Sequence, residues 1–236
     1  MDGDRPLRQL EPFADHGPYS IGHVAGTSET LVIALSSIGH DPTRPPSPEF
    51  IGSAIAGGRP ALFVTDAERT WTHAPGFAEV LQDAVATLRA RQPITRIVTV
   101  GKSMGAFCAL VAGEILKADA VLAFSPQYRI DDGHEKRWRE WTDRISPKTR
   151  PVPPLPEGWV ILCHGLQDDA IHAQNFPQRD GVDHLLFFGH THSGLTAHLK
   201  SSGHLWGIVD AAAKGDRRRL LRLAIAAGGR RRQLPR

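Results

Sequence analysis

The sequence predicts an α/β fold with a mainly parallel central sheet and helices on both faces. Two observations carry that expectation. Short apolar runs recur along the chain, and most are continuous rather than alternating, as in strands covered on both sides. Stretches of helical periodicity lie between them, and this alternation is the pattern of βαβ units. At 236 residues the chain is long enough for one sizeable core, so a single domain over 1–236 is expected.

The strands follow in order. LVIAL (31–35) is the first clear buried run, then ALFV (61–64), IVTV (97–100), ADAVLAF (118–124), WVILC (159–163) and HLLFF (184–188). Tyr19 to Val24 suggests an additional antiparallel edge strand. Phe77, Val80, Leu81, Ala84, Val85 and Leu88 recur at three- and four-residue spacing, which predicts an amphipathic helix. A second helix, rich in alanine, is expected over 104–116. Leu195, Leu199, Leu205 and Ile208 predict a helical region interrupted near Gly203, and 220–227 predicts a final helix. The stretch from Tyr128 to Gly158 breaks the rhythm, with Trp138, Trp141 and four prolines near its end. It is too long for a tight connection and reads as a short lid-like insertion or an irregular surface excursion.

Composition narrows the function classes. Hydrophobic residues make up 41% and charged residues 22%, which argues against global disorder. The net charge of +3 is concentrated in residues 216–236, which carry Arg217, Arg218, Arg219, Arg222, Arg230, Arg231, Arg232 and Arg236. That segment reads as a basic C-terminal helix and frayed tail. Because the rest of the chain is slightly acidic, nucleic-acid binding by the whole domain is not expected. Cys108 and Cys163 lie in apolar surroundings outside any CxxC motif and read as buried hydrophobes, so a reducing cytoplasm is expected. Met1 to Pro6 has no apolar run and does not read as a secretory leader. No segment approaches the length of a membrane span. Nothing in the residues specifies an oligomeric state.

The chemistry centres on Gly101-Lys102-Ser103-Met104-Gly105, a G-x-S-x-G segment that follows the IVTV strand and opens a helix. A serine on a sharp strand-to-helix turn has its hydroxyl raised above the sheet, and the flanking glycines keep side chains out of the crowded bend. The N–H of Met104 can donate to a tetrahedral oxyanion. The chain here resembles the α/β-hydrolase superfamily of serine esterases, lipases and related hydrolases, from about Leu31 to Val209. The resemblance implies a serine nucleophile followed in the chain by an acid and then a histidine. By it Asp168, in Gly165-Leu166-Gln167-Asp168-Asp169, is the acid, with Asp169 the alternative. Asp131 and Asp132 are weaker sources.

The same resemblance assigns the base to Gly189-His190-Thr191-His192. His192 is preferred and His190 is the alternative, whereas His198 and His204 fall in helical sequence. A second oxyanion donor is expected after LVIAL, from the N–H of Ser37 or Ile38. Many members of the superfamily carry His-Gly where this chain has Ser36-Ser37. Lys102 reads as a solvated lysine, Asp66 as a turn or cap residue, and Trp71 as structural or pocket-lining.

These residues imply a serine hydrolase that cleaves a small-molecule carboxylic ester or thioester through an acyl-enzyme, without metal or cofactor. Two alternatives stand beside it. One is an inactive hydrolase-fold binding protein with the basic C-terminus as contact surface. The other is a metal-dependent phosphoesterase using the GHTH segment, but its companion motifs are absent, as is the HExxH spacing of a mononuclear zinc site.

Overall fold

The computed structural model describes residues 9–131 and 135–233. The hexapeptide Met1–Pro6, Asp132 and Arg236, considered above, lie outside the described residues.

The elements run β1 (Glu11–His16), β2 (Tyr19–Val24), β3 (Thr30–Leu35), α1 (Ile51–Ala54), β4 (Ala61–Asp66), α2 (Phe77–Arg91), β5 (Arg96–Lys102), α3 (Met104–Ile115) and β6 (Ala120–Phe124). They continue through α4 (Arg139–Thr142), β7 (Trp159–Gly165), α5 (Ala170–Asn175), β8 (Val182–Phe187), α6 (Gly194–Ser201), α7 (His204–Ala213), α8 (Arg217–Ala226) and β9 (Gly229–Arg231). Among the described residues nine strands form one sheet, ordered β1-β2-β4-β3-β5-β6-β7-β8-β9. β4 to β8 and β3 pair in parallel, whereas β1, β2 and β9 pair antiparallel at the two margins.

The continuous apolar strands are buried on both faces for a structural reason. One face packs α2 and α3 against Leu31, Ile33, Ile97 and Val121. The other packs α1, α6, α7 and α8 against Val32, Val98, Leu122 and Ile161. Both faces must therefore be apolar, which removes the alternation of a half-exposed strand. The chain crosses from β4, outside β3, to β5 on the other side of β3. That reversal opens a crevice at the carboxyl ends of β3 and β5, the usual place for a ligand site in such a sheet.

The structure corrects two expectations. Tyr19–Val24 is a strand, but not the edge: β1 pairs outside it. The EPFADH run of β1 is mostly exposed or half-buried, so it carries no apolar signature. The C-terminal segment is more than a helix and a frayed end, because Gly229–Arg231 adds β9 beside β8. Its arginines are anchored: Arg217 and Arg231 pair with buried Asp183 at 2.6 and 2.9 Å, and Arg219 pairs with buried Asp210 at 2.6 Å. The guanidinium of Arg232 donates to the carbonyls of Ala173 and Phe176. Much of the basic charge thus fastens α8 and β9 to the domain. Among the described residues no helix is long and apolar enough to cross a membrane.

The stretch after β6 contains α4 and otherwise irregular backbone. Its Ile130, Trp138 and Ile145 are buried in the same cluster as α2 and α3. It therefore packs against the body of the domain.

Candidate active site

Ser103 sits between β5 and α3 with φ 54° and ψ −126°, a conformation L-residues rarely adopt. The flanking glycines explain how the bend is possible. A Cβ on Gly101 would lie 2.1 Å from the carbonyl oxygen of Gly105, and one on Gly105 would lie 2.2 Å from that of Leu35. The serine N–H donates to the Phe124 carbonyl at 2.9 Å, which ties the bend to the end of β6. Met104 and Gly105 open α3, and the Ser103 carbonyl accepts from the N–H groups of Ala106 and Phe107 at 2.9 and 3.2 Å.

His192 lies after β8, at the start of the turn into α6. Its Nδ1 bonds Asp169 Oδ2 at 2.8 Å and Oδ1 at 3.0 Å. Its Nε2 is buried and has no hydrogen-bond partner among the described residues. The Ser125 hydroxyl donates to the His192 carbonyl at 3.3 Å, so His192 and Ser103 both attach to the end of β6. Gly165 allows the acid loop to approach the base loop: a Cβ there would lie 2.5 Å from the His190 carbonyl oxygen.

The carboxylate on the imidazole is Asp169, whereas Asp168 was the expected one. Asp168 Oδ1 instead accepts from the main-chain N–H of His192 at 2.6 Å, and its residue is exposed. Asp169 is fully buried and immediately precedes α5, so its side chain turns inward as that of its neighbour turns out. Burial alone would raise the Asp169 carboxyl. The His192 hydrogen bond and the nearby positive charge of Arg137 outweigh burial and hold it below the ordinary carboxylate range. His190 does not reach this pair, because its ring packs on His198 at 4.2 Å.

The expected oxyanion donors have different surroundings. Ser37 N–H is engaged by Glu49 Oε2 at 3.0 Å, and the Ser37 hydroxyl by Glu49 Oε1 at 3.1 Å. Glu49 is in turn paired with Lys102 at 2.9 Å, so Lys102 is not a solvated lysine. Ser37 N–H is thus occupied, and Ile38 N–H and Met104 N–H remain as the candidate donors. Buried Arg69 holds the Ile38 loop by donating to the carbonyls of Ile38, Asp41 and Arg44.

Three further residues stand at the site: Trp138, noted above in the stretch after β6, and Gln127 and Arg137, which escaped sequence reasoning. Fully buried Gln127 donates from Nε2 to Ser103 Oγ at 3.1 Å, and its Oε1 accepts from Trp71 at 3.4 Å. Arg137 reaches Asp169 at 3.0 Å, Asp168 at 3.3 Å and Glu135 at 2.6 Å. The Trp138 ring lies 4.6 Å from that of His192, with the Arg137 guanidinium 4.3 Å from the Trp138 ring. A glutamine after a strand and an arginine in a charged run have no distinctive sequence signal. Of the other residues noted in the sequence, Asp66 caps a turn by accepting from the N–H and hydroxyl of Thr70, and Asp131 pairs with Arg129. Cys108 and Cys163 are buried. Among the described residues no three His, Cys, Asp or Glu side chains converge as a metal ligand set.

No family model matches the chain, and no curated protein matches it in sequence. Solved structures do match it in fold. The capsule O-acetyltransferase of Neisseria meningitidis serogroup A superposes with TM-score 0.57 and 16% identity, over 86% of this chain and 95% of that one. An α/β serine hydrolase without lid from Xanthomonas campestris gives TM-score 0.53 and 14% identity, over 85% and 94%. The 2,6-dihydroxy-pseudo-oxynicotine hydrolase gives TM-score 0.60 and 13% identity, over 88% and 68%.

The chain has the α/β-hydrolase fold.

Within this α/β-hydrolase fold, a second pair of histidines underlies the site. Gln178 donates to His184 Nδ1 at 3.2 Å. His184 Nε2 donates to His164 Nδ1 at 2.9 Å, and His164 Nε2 donates to the Pro126 carbonyl at 3.0 Å, next to Gln127. This chain is satisfied only when both imidazoles are neutral. Burial pushes both well below the ordinary histidine value, His164 to about 4. The sign follows. Between pH 6.5 and about 4 the unfolded chain binds protons that the folded one refuses, so stability falls on acidification. Urea unfolding at pH 5 should give a free energy about 2–4 kcal/mol below that at pH 7. Equal values at the two pH values would mean the buried pair takes up protons freely.

Proposed function

We propose that this protein is a serine hydrolase that cleaves a carboxylic ester or thioester through an acyl-enzyme on Ser103. The observation that carries the reading is the His192 imidazole, bound at Nδ1 by buried Asp169 and unpartnered at Nε2, at the same sheet end as the strained Ser103 bend. The solved structures that share the fold include an α/β serine hydrolase and an O-acetyltransferase, which accord with acyl chemistry at such a site.

In the resting arrangement no hydrogen bond joins His192 Nε2 to Ser103 Oγ. Such bonds commonly shorten only when substrate is bound. Gln127 donates to a lone pair of Ser103 Oγ and leaves the hydroxyl proton free to turn toward His192. His192 Nε2 takes that proton as Oγ attacks the carbonyl carbon, and Asp169 stabilises the resulting imidazolium. The N–H groups of Met104 and Ile38 stabilise the oxyanion. The intermediate collapses, and the alcohol or thiol leaves with the proton from His192. A water molecule, deprotonated by His192, then attacks the acyl carbon, and the acid departs as Ser103 regains its proton.

A fluorophosphonate probe should label the native protein once, at Ser103, and should not label Ser103→Ala. Absence of labelling, or labelling that survives in Ser103→Ala, would remove the serine from the reaction. In that case the alternative of a hydrolase-fold binding protein gains, and charge reversal at exposed Arg218 and Arg222 of α8 is its own test.

A further inference from the structure

A groove of about 660 Å³ opens beside the Ser103 and His192 bends. Lys102 and Ser193, the chain neighbours of those two residues, form part of its wall. α1 and the Phe50 before it form one side, and α6 with the start of α7 forms the other. Two large apolar side chains exposed to solvent, Ile51 at 38% and Trp206 at 50%, flank this groove together with Phe50 and Leu205. Isolated exposed apolar residues need no explanation, but several lining one cleft next to a nucleophile point to a ligand.

The charge of the groove is also defined. Among the described residues Glu49 is its one lining carboxylate, and Lys102 neutralises it at 2.9 Å. Lys200, exposed in the last turn of α6, lines the same groove and has no carboxylate in ion-pair range among the described residues. The groove therefore offers an apolar floor and one uncompensated ammonium. On the other side of Ser103 the neighbouring side chains are packed. Gln127 and Trp71 are fully buried there, and Trp138 nearly so.

We infer that this groove binds the leaving group of the substrate. It would take an apolar, ring-sized alcohol or thiol carrying an anionic group that pairs with Lys200. The inference rests on the acyl-transfer reading of Ser103, but the groove can be examined without turnover.

Two probes separate the questions. The first is a pair of substrates, the acetate esters of 1-naphthol and of a sulfonated 1-naphthol. The native protein should favour the sulfonated ester in kcat/KM by about two- to fivefold, the worth of one exposed ion pair. Lys200→Glu should abolish or reverse that ratio. Arg218→Glu makes the same charge change on α8, outside the groove, and should keep it. Gly52 lines the groove, and a Cβ there meets nothing within 4 Å. Gly52→Trp should therefore fill the groove and raise KM for both esters, while the smaller fluorophosphonate still labels Ser103. Equal preference for the two esters in the native protein, or a ratio unchanged in Lys200→Glu, overturns the inference.

The second probe is anilinonaphthalene sulfonate, read by fluorescence titration, with circular dichroism verifying that each variant is folded. Saturable binding that is lost in Lys200→Glu and Gly52→Trp supports the groove even if no ester is turned over, in which case the hydrolase reading alone fails. Binding that is equal in all variants overturns the groove even if Ser103 is an active nucleophile.

Discussion

Asp169→Asn is expected to lower kcat by about 10⁴-fold on any ester the protein turns over, whereas Asp168→Asn lowers it by about tenfold or less. Asp169 holds both oxygens within 3.0 Å of His192 Nδ1 and is fully buried. An asparagine there can present its NH₂ to Nδ1, which would place the imidazole proton on Nε2. That is the nitrogen that must accept the Ser103 proton, so the base would be lost with the local geometry intact. Asp168 makes a different contact. It accepts from the His192 N–H and pairs with Arg137 at 3.3 Å, and an asparagine carbonyl can still accept the first of these bonds. Steady-state kinetics on the two single variants, with circular dichroism as a control, check the pair. The larger loss falling on Asp168→Asn would reverse the assignment.

The second large effect concerns folding. Gly105→Ala is expected to destabilise the protein by about 3–5 kcal/mol, or to prevent its accumulation as a folded species. The methyl group would sit 2.2 Å from the Leu35 carbonyl oxygen, and the atoms it meets are backbone of Leu35 and Ser36 at the end of β3, which no rotamer change can move aside. Relief requires α3 to withdraw from the sheet. α3 is buried along most of its length, from Met104 to Gly113, so withdrawal would open the core cluster around it. Urea denaturation compares the variant with the native chain. A shift of less than about 1 kcal/mol would mean that the strand-to-helix junction can loosen at little cost. Gly52→Ala is the matched control, since its added methyl group meets open space.

The parts of the fold legible in the sequence are those where local chemistry is strong. Runs such as LVIAL and IVTV read as strands because burial on two faces leaves them no polar position. The helix over Phe77–Arg91 was legible because its buried residues recur on one stripe. β1 and β9 were not. A strand held at a margin mainly by main-chain hydrogen bonds, such as Glu11–His16, needs no apolar pattern. The three residues of Gly229–Arg231 are placed by the Arg231 pair with Asp183, a partner far away in sequence. The basic C-terminus illustrates the same limit: a run of arginines looks like a solvated patch until the buried carboxylates that receive it are located.

At the candidate site, residue types and their order along the chain were readable by the sequence alone. A glycine-flanked serine after a buried strand demands a tight bend, and the acidic and histidine-bearing segments follow in loops after later strands. The tertiary structure decided which member of each close set faces inward. Asp169 rather than Asp168 meets the ring, Ser37 N–H is taken by Glu49, and Gln127 and Arg137 arrive from the segment after β6. The physical reason is one of scale. Hydrophobic patterning places a segment to within a residue or two, whereas a hydrogen bond requires a heavy-atom separation near 3 Å, and successive side chains in a loop point in different directions.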